Sequence, residues 1–187
     1  MPYLTDNQLT KLGFKYLGRN VKISDKASIY DAHLITIGNE SRIDDFCVIS
    51  GKVDIGEYVH ITPMCLVAGG RGGIKLSDFC TLAYGVKIFA QSDDYSGLTM
   101  VNSLIDSEYK SEHVSHIQID KHVIIGTNSV VFPGVHVAEG CSLGAMTLLN
   151  KSTQPWGIYV GSPALRVKER KKDLLDLEYQ FLKGKQK

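Results

Sequence analysis

The amino-acid sequence predicts a mainly β chain, wound as a parallel β-helix with a short helix at each end. Aliphatic residues recur at every sixth position over long stretches, a period that neither a lone helix nor a lone strand produces. Small residues form a second series four positions later, and all four cysteines fall in that series. Both ends of the chain break the period.

Residues 1–20 are expected to form an N-terminal cap. Thr5 stands three positions before Gln8, which is the spacing of a capping box at the start of a helix. We therefore expect a short helix over residues 6–17 that closes the first coil.

The six-residue period extends over residues 21–162. Three units make one triangular coil of about 18 residues, and successive coils stack with parallel hydrogen bonding. The aliphatic residues should point inward, and alternation along the strand turns the smaller residues inward as well. The two longest runs are Ile37, Ile43, Ile49, Ile55, Ile61, Val67 and Ile119, Ile125, Val131, Val137, Leu143, Leu149.

The four cysteines have a simple explanation in this pattern. Cys47, Cys65, Cys80 and Cys141 all occupy the inward series, where a buried thiol behaves as a small apolar side chain. A metal site or disulfides are the alternatives. No C-x-x-C spacing is present, and structural disulfides are rare in cytosolic proteins. We therefore expect interior thiols and no bound metal.

Two further segments leave the period. The 30 residues between Ile88 and Ile119 are polar and too long for an ordinary connection, which predicts a functional loop insertion at 89–118. Residues 163–187 are expected to form a C-terminal helix, because an apolar face recurs among charges there. The whole chain, 1–187, is then a single domain.

Composition restricts the partners. The 187 residues carry a net charge of +1, which gives no bias toward polyanions such as nucleic acids. No stretch approaches the roughly 18 consecutive apolar residues of a membrane span, and the N-terminus lacks a signal-peptide pattern. We expect a cytoplasmic protein with no membrane span.

Several stretches resemble the hexapeptide-repeat acyltransferases: "RIDDFCVISG", "AQSDDYSG", "KHVIIGTNSVVFPGV", "LGAMTLLNKS" and "WGIYVGSPALRVKER". The resemblance covers nearly the whole chain. It implies a left-handed parallel β-helix, a homotrimer, and acetyl transfer from acetyl-CoA. The motifs are most similar to the branch that acetylates nucleotide-linked amino sugars for polysaccharide assembly, such as the dTDP-4-amino-4,6-dideoxyglucose N-acetyltransferases.

His60 is the candidate general base. It stands one residue before the inward Ile61, so alternation turns its ring outward, and an imidazole that titrates near neutrality suits proton transfer. The stretch "HITP" also resembles the "HIAP" of sugar-modifying acetyltransferases, whose histidine lies near the acetyl group. A plain surface histidine is the alternative. His136 has the same outward phase but no motif support, and His116 is the reserve candidate.

Asp93 marks a departure from the resembling proteins. When the stretch "VKIFAQSDDY" is aligned with galactoside-type O-acetyltransferases, Asp93 occupies the position of their catalytic histidine. We assign Asp93 a catalytic role and Asp94, Tyr95 and His116 a role in substrate binding. The two carboxylates would hold a sugar hydroxyl or the substrate ammonium, or orient a histidine of a neighbouring subunit. A structural turn is the alternative reading of "DDYSG".

The resemblance places the coenzyme along the later coils, between adjacent subunits. Gly126, Gly144 and Ala145 match the small residues beside the pantetheine arm. Lys151, Arg166 and Lys168 match cationic positions near the coenzyme phosphates. A solvated helix face is the alternative for "RVKERKK", and Leu165 replaces a cation of the commoner "PAKRIK".

Four functions remain open from the sequence. Acetylation of an amine on a nucleotide-linked sugar is the first, and O-acetylation of a sugar hydroxyl with the same donor is the second. A trimeric metalloenzyme of carbonic-anhydrase type would need three clustered imidazoles, and His116 with His122 lack that family's spacing. A scaffold without chemistry would leave the long polar loop without a role.

Overall fold

The computed structural model describes residues 2–185, which form a triangular prism of stacked coils. Strands in successive coils pair in parallel, and each of the three faces of the prism is one stack of strands. A helix lies near each end of the chain. The predicted mainly β fold, a β-helix flanked by two helices, is therefore confirmed.

The three faces are defined by their strands. The first face holds Tyr16–Leu17, Ile35–Ile37, the second halves of Val48–Ile55 and Leu66–Leu76, Ile117–Ile119 and His136–Val137. The second face holds Lys22–Ile23, Arg42–Ile43, His60–Ile61, Thr81–Leu82, Ile124–Ile125, Ser142–Leu143 and Gly157–Val160. The third face holds Ser28–Ile29, the first halves of Val48–Ile55 and Leu66–Leu76, Lys87–Phe89, Val130–Val131 and Leu148–Leu149.

The prism interior contains the two series that the sequence predicts. Both long aliphatic runs are buried, and burying one such side chain stabilises a fold by roughly 1.5–3 kcal/mol. All four cysteines are buried and free. Each thiol donates to a carbonyl oxygen of the next coil; the four pairs are Cys47 with Thr62 (3.1 Å), Cys65 with Ala83 (3.2 Å), Cys80 with Asp120 (3.1 Å) and Cys141 with Gln154 (3.1 Å).

The corner between the first and second faces carries a column of rings. Tyr58, Phe79 and His122 stand there in three successive coils with φ near +60°, a conformation that turns each side chain outward. Tyr58 and Phe79 stack with centroids 4.9 Å apart, and Phe79 and His122 with centroids 5.4 Å apart. Phe181 of the C-terminal helix meets Tyr58 edge-on at 5.3 Å.

The N-terminal helix α1 spans Asp6–Leu12. The predicted capping box between Thr5 and Gln8 is present, and Leu9 is buried against the first coil. The expected helix over 6–17 was too long. Gly13 takes the left-handed conformation (φ 70°) and ends α1, because that conformation cannot continue a helix. Tyr16–Leu17 is then the first strand of the prism.

The C-terminal segment differs from a helix that begins at residue 163. Strand Leu165–Glu169 first pairs antiparallel with Gly157–Val160, and helix α2 spans Leu174–Lys185. Residues 186–187 of the expected helix lie outside the described residues. Between strand and helix, the Arg170 guanidinium donates to the carbonyl oxygens of three residues in two coils: His122 (2.7 Å), Gly140 (3.0 Å) and Cys141 (3.3 Å).

The insertion leaves the prism at the corner between the third and first faces. Strands Gln91–Asp93 and Glu112–Val114 form an antiparallel ribbon at its base, and a 3-10 turn spans Ser107–Tyr109. A second 3-10 turn, Ala32–Leu34, lies at the same corner, in the coil that precedes strand Val48–Ile55. Between residues 2 and 185, neither α1 nor α2 is long and apolar enough to cross a membrane.

Candidate active site

His60 lies on the second face with its ring outward, as the alternation predicts. Its Nε2 is 2.9 Å from Oδ2 of Asp44, which belongs to the preceding coil. Oδ1 of the same carboxylate accepts a 2.5 Å bond from Nε of Arg42. Asp44 is 2% exposed, whereas the His60 side chain is 39% exposed. A buried carboxylate therefore holds two half-exposed cationic or basic groups in fixed positions.

This contact determines which nitrogen of His60 is available. When Nε2 carries the proton that it donates to Asp44, Nδ1 carries the lone pair. Nδ1 is then the ring nitrogen with the lone pair needed to accept a proton. The hydrogen bond to Asp44 also raises the pKa of Arg42, so the carboxylate always faces a positive charge.

Sequence reasoning missed Asp44. A usable signal was present: Arg42 and His60 are register partners on the second face, and Asp44 follows Arg42 by two residues. A second pair shows that such a contact does not by itself identify a catalytic centre. Nε2 of His136 lies 2.6 Å from Oδ2 of Asp120, again across 16 residues, on the first face.

Asp93, Asp94 and Tyr95 are brought together in one cleft of the insertion. The cleft has a volume of about 510 Å³, and its other walls are Leu98, Thr99, Ser111, Glu112 and His113. Asp93 ends the ribbon strand opposite Glu112. Tyr95 is 93% exposed at the rim. The lining of the cleft thus combines three carboxylates with an aromatic and an aliphatic side chain.

Asp94 has a structural role in that cleft. Its carboxylate accepts hydrogen bonds from the Ser96 amide (2.8 Å), the Thr99 amide (3.1 Å) and the Thr99 hydroxyl (3.1 Å). The bonds from Ser96, followed by those from Thr99, lower the pKa of Asp94 to about 2. Asp94 therefore stays ionised at neutral pH and fixes the "DDYSG" turn.

His116 lies outside the lining of the cleft. Its Nδ1 is 3.3 Å from the carbonyl oxygen of Gly72, so it stands at the root of the insertion, against the coil. His113 lines the cleft instead, because the ribbon pairs it with Ser92. His116, the reserve candidate for the general base, is thus nearer the prism than His113.

The structure does not bring His60 and Asp93 together within one chain. His60 lies on the second face, whereas the insertion leaves the corner between the third and first faces, which is opposite the second face of a triangular prism. A site that uses both residues therefore needs two copies of the chain.

The residues expected to bind the coenzyme lie in the last coils. Gly126 and Gly144 stand where the chain leaves the second face, and a Cβ on Gly126 would lie 2.6 Å from the Ala145 amide nitrogen. Glycine at position 126 is therefore required for coil stacking, in addition to the expected approach of the pantetheine arm. Lys151 is exposed just after the last strand of the third face.

Arg166 and Lys168 lie on the strand Leu165–Glu169, at the end of the second face. Arg166 donates to Glu169 at 2.6 Å, and both cationic side chains are accessible to solvent. They occupy an exposed strand and not the solvated helix face that was the alternative. Among residues 2–185, no group of three or more histidine, cysteine, aspartate or glutamate side chains is placed so that it could hold a metal ion.

Known proteins share this architecture over the full length of the chain. No protein-family model matches the sequence. The dTDP-4-amino-4,6-dideoxy-D-glucose acyltransferase of Escherichia coli is 43% identical over 97% of this chain and 95% of its own length. The N-acyltransferase AntD from Bacillus cereus, solved with dTDP and 3-hydroxybutyryl-CoA, is 42% identical, with a TM-score of 0.97 over 99% of this chain and 98% of AntD.

A variant of AntD was solved with dTDP-4-amino-4,6-dideoxyglucose and coenzyme A. It is 42% identical to this chain and superimposes with a TM-score of 0.95 over 97% of each chain. The resemblance seen in the motifs is thereby confirmed. The chain belongs to the hexapeptide-repeat acyltransferases that depend on acyl-CoA, in the family of the dTDP-4-amino-4,6-dideoxyglucose acyltransferases.

Proposed function

We propose that this protein transfers an acetyl group from acetyl-CoA to the amine of dTDP-4-amino-4,6-dideoxyglucose or a related nucleotide-linked amino sugar. The observation that carries the proposal is the full-length match to AntD, which was solved with coenzyme A and this amino sugar. The Escherichia coli relative carries the same substrate in its name. We expect the reaction in the cytoplasm, as a step of surface-polysaccharide synthesis.

The mechanism that we propose is direct attack of the sugar amine on the thioester carbonyl. The new C–N bond forms as the C–S bond breaks, coenzyme A leaves as the thiolate, and the amine loses one proton. Nδ1 of His60, oriented through Asp44, is the proposed acceptor of that proton. An acyl-enzyme is not part of the proposal, because the four thiols are buried.

In this proposal Asp93 and Asp94 hold the substrate ammonium, which loses one proton to solvent to give the free amine; the second proton, lost as the amine attacks, goes to His60. Both carboxylates line the insertion cleft, and the lowered pKa of Asp94 supports a negative charge there. Gly126, Gly144 and Ala145 adjoin the pantetheine arm, and Lys151, Arg166 and Lys168 bind the coenzyme phosphates. These assignments rest on the motif resemblance and on the exposure of the three cations.

We infer a homotrimer from the outward residues of the third face. Six of them stack in register; four are apolar, Val48, Leu66, Val130 and Leu148, and two are polar, Ser28 and Lys87. The corresponding stack of the first face begins with Tyr16 and is otherwise polar; its other members are Thr36, Asp54, Lys75, Gln118 and His136. A flat apolar face is usually covered by another chain. In a trimer, the insertion of a neighbouring subunit would lie beside His60, because the insertion of its own chain is at the opposite corner of the prism.

Sedimentation tests the oligomer. The wild-type protein should sediment as a trimer, and Leu66→Glu should dissociate it, because the substitution places a charge on the third face. Thr36→Glu, on the polar first face, is the matched control and should remain trimeric. A wild-type monomer that still transfers acetyl groups would exclude an intersubunit site.

An acceptor panel tests the reaction. We expect coenzyme A thiol release from acetyl-CoA with dTDP-4-amino-4,6-dideoxyglucose and none above background with the analogue that carries a hydroxyl in place of the amine. Turnover of the hydroxyl analogue alone would show the O-acetyltransferase instead. Release with neither acceptor above background would contradict both activities.

A further inference from the structure

Three exposed basic side chains surround the root of the insertion: Lys52, Arg71 and His116. Lys52 and His116 lie against the same glycine, Gly73. A Cβ at that position would stand 3.3 Å from Cδ of Lys52 and 3.4 Å from Nδ1 of His116. Gly73 also has φ +83°, which disfavours any other residue. The lysine and histidine therefore face one shared space beside the coil.

The charges at this place are only partly neutralised. Arg71 donates to Glu112 at 2.8 Å, which ties the coil to the ribbon of the insertion. His116 uses only Nδ1, on the Gly72 carbonyl. Within residues 2–185, Lys52 makes no ion pair and no side-chain hydrogen bond. Two nitrogens, Nζ of Lys52 and Nε2 of His116, thus remain for a ligand, and an anion between them would favour the charged form of both.

This basic pair stands at the base of the ribbon whose outer end, Asp93 and Glu112, lines the acidic insertion cleft. Gln91 begins the ribbon and packs beside Gly70, and two residues later the same strand supplies Asp93 to the cleft. The site therefore has a negative side within the insertion and a positive side at its root. A nucleotide-linked amino sugar has the matching order of charge, with an ammonium on the sugar and a diphosphate a few bonds away.

We propose that Lys52 and His116 bind the diphosphate of the nucleotide-linked sugar, with Lys52 supplying the full positive charge. This inference rests on the function proposed above. It explains how a nucleotide sugar is distinguished from a free sugar, since the free sugar has no group for Lys52. It also gives His116 a binding role that does not require proton transfer.

Calorimetric binding of dTDP and of thymidine tests the inference, because the two ligands differ only in the diphosphate. Lys52→Ala should raise the Kd for dTDP by about tenfold or more, the scale of a charge-assisted hydrogen bond. It should leave the Kd for thymidine unchanged. Lys52→Arg should restore most of the dTDP affinity, and Lys15→Ala, which removes an exposed lysine near the first coil, should leave it unchanged.

Each other outcome counts against the inference. If folded Lys52→Ala binds dTDP within twofold of wild type while the wild-type enzyme turns over, the diphosphate site is wrong and the proposed function stands. Equal losses for dTDP and thymidine would show that Lys52 does not act on the diphosphate. If the wild-type protein neither binds dTDP nor releases thiol, the proposed function fails together with the inference.

Discussion

Nε2 of His60 lies 2.9 Å from Oδ2 of Asp44, a carboxylate that is almost fully buried one coil earlier in the prism. Stacking of the coils creates this pair, because the register partners Arg42 and His60 flank the same acidic side chain. The carboxylate fixes the ring through Nε2, so Nδ1 is the ring nitrogen that remains for another partner.

His60→Asn should lower kcat by roughly 100-fold, the scale of general base catalysis, with KM for both substrates little changed. Steady-state kinetics measured across pH checks this. His136→Asn is the matched control, since His136 makes the same type of contact with Asp120 on the first face. A loss below threefold in His60→Asn would contradict the assignment and favour His116 or Asp93 as the base.

Lys151→Ala and Arg166→Ala should raise KM for acetyl-CoA while kcat stays within about twofold. Contacts with the coenzyme phosphates persist through the reaction, so they contribute equally to the ground state and the transition state. Lys171→Ala removes an exposed cation two residues beyond the strand and should change neither constant. Unchanged KM in both test variants would remove these residues from the coenzyme site.

The thiols give a third prediction. Burial raises the pKa of Cys80 to about 12, and all four cysteines lie inside the prism. A thiol-specific reagent such as DTNB should therefore leave the folded enzyme unmodified and active, and should titrate four thiols after denaturation. Rapid loss of activity with one thiol modified would show that a cysteine reaches the site.

Helix α2 gives a prediction about acid stability. Glu178 accepts a 2.5 Å bond from Lys121 and a 2.8 Å bond from His122, which stands in the ring column. Desolvation of Glu178 raises its pKa, but these two bonds and the charges of their donors outweigh it and leave the pKa below 4.5. The ionised carboxylate therefore stabilises the docked helix above that ordinary value, and this contribution is lost as pH falls through the lowered pKa.

Melting temperatures measured from pH 7 to pH 3 check that sign. Wild type should lose more stability on acidification than Glu178→Gln, which is already less stable at pH 7 and has no charge to lose. Glu108→Gln is the control, in the exposed 3-10 turn of the insertion. Parallel pH curves for wild type and Glu178→Gln would contradict this role.

The prism could be predicted from the sequence because each six-residue unit repeats the same burial pattern. The inward rows and the interior position of Cys47 and Cys141 follow from that period alone. The period does not extend to the ends, and the errors lie there. Gly13 ends α1 early, and the exposed residues of Leu165–Glu169 form a strand only because Gly157–Val160 offers a free edge.

The candidate site could be predicted only in part. Asp93, Asp94 and Tyr95 are neighbours in the sequence, so their shared cleft follows once the insertion is recognised. Contacts between coils need the register of the stack, which is why Asp44 was missed. The separation of His60 from the insertion depends on the face that each occupies. The six-residue period alone does not say which face a given unit belongs to.

The central claim is direct transfer of the acyl group from coenzyme A to the amine of a nucleotide-linked sugar. A rapid-quench single-turnover experiment tests it most directly. The enzyme is mixed in excess over acetyl-CoA, and dTDP-4-amino-4,6-dideoxyglucose is the acceptor. Thiol release and sugar amide should appear at the same rate, and the intact protein mass should stay that of the unmodified chain throughout. An acetylated protein that forms before the amide and decays as the amide appears would contradict direct transfer.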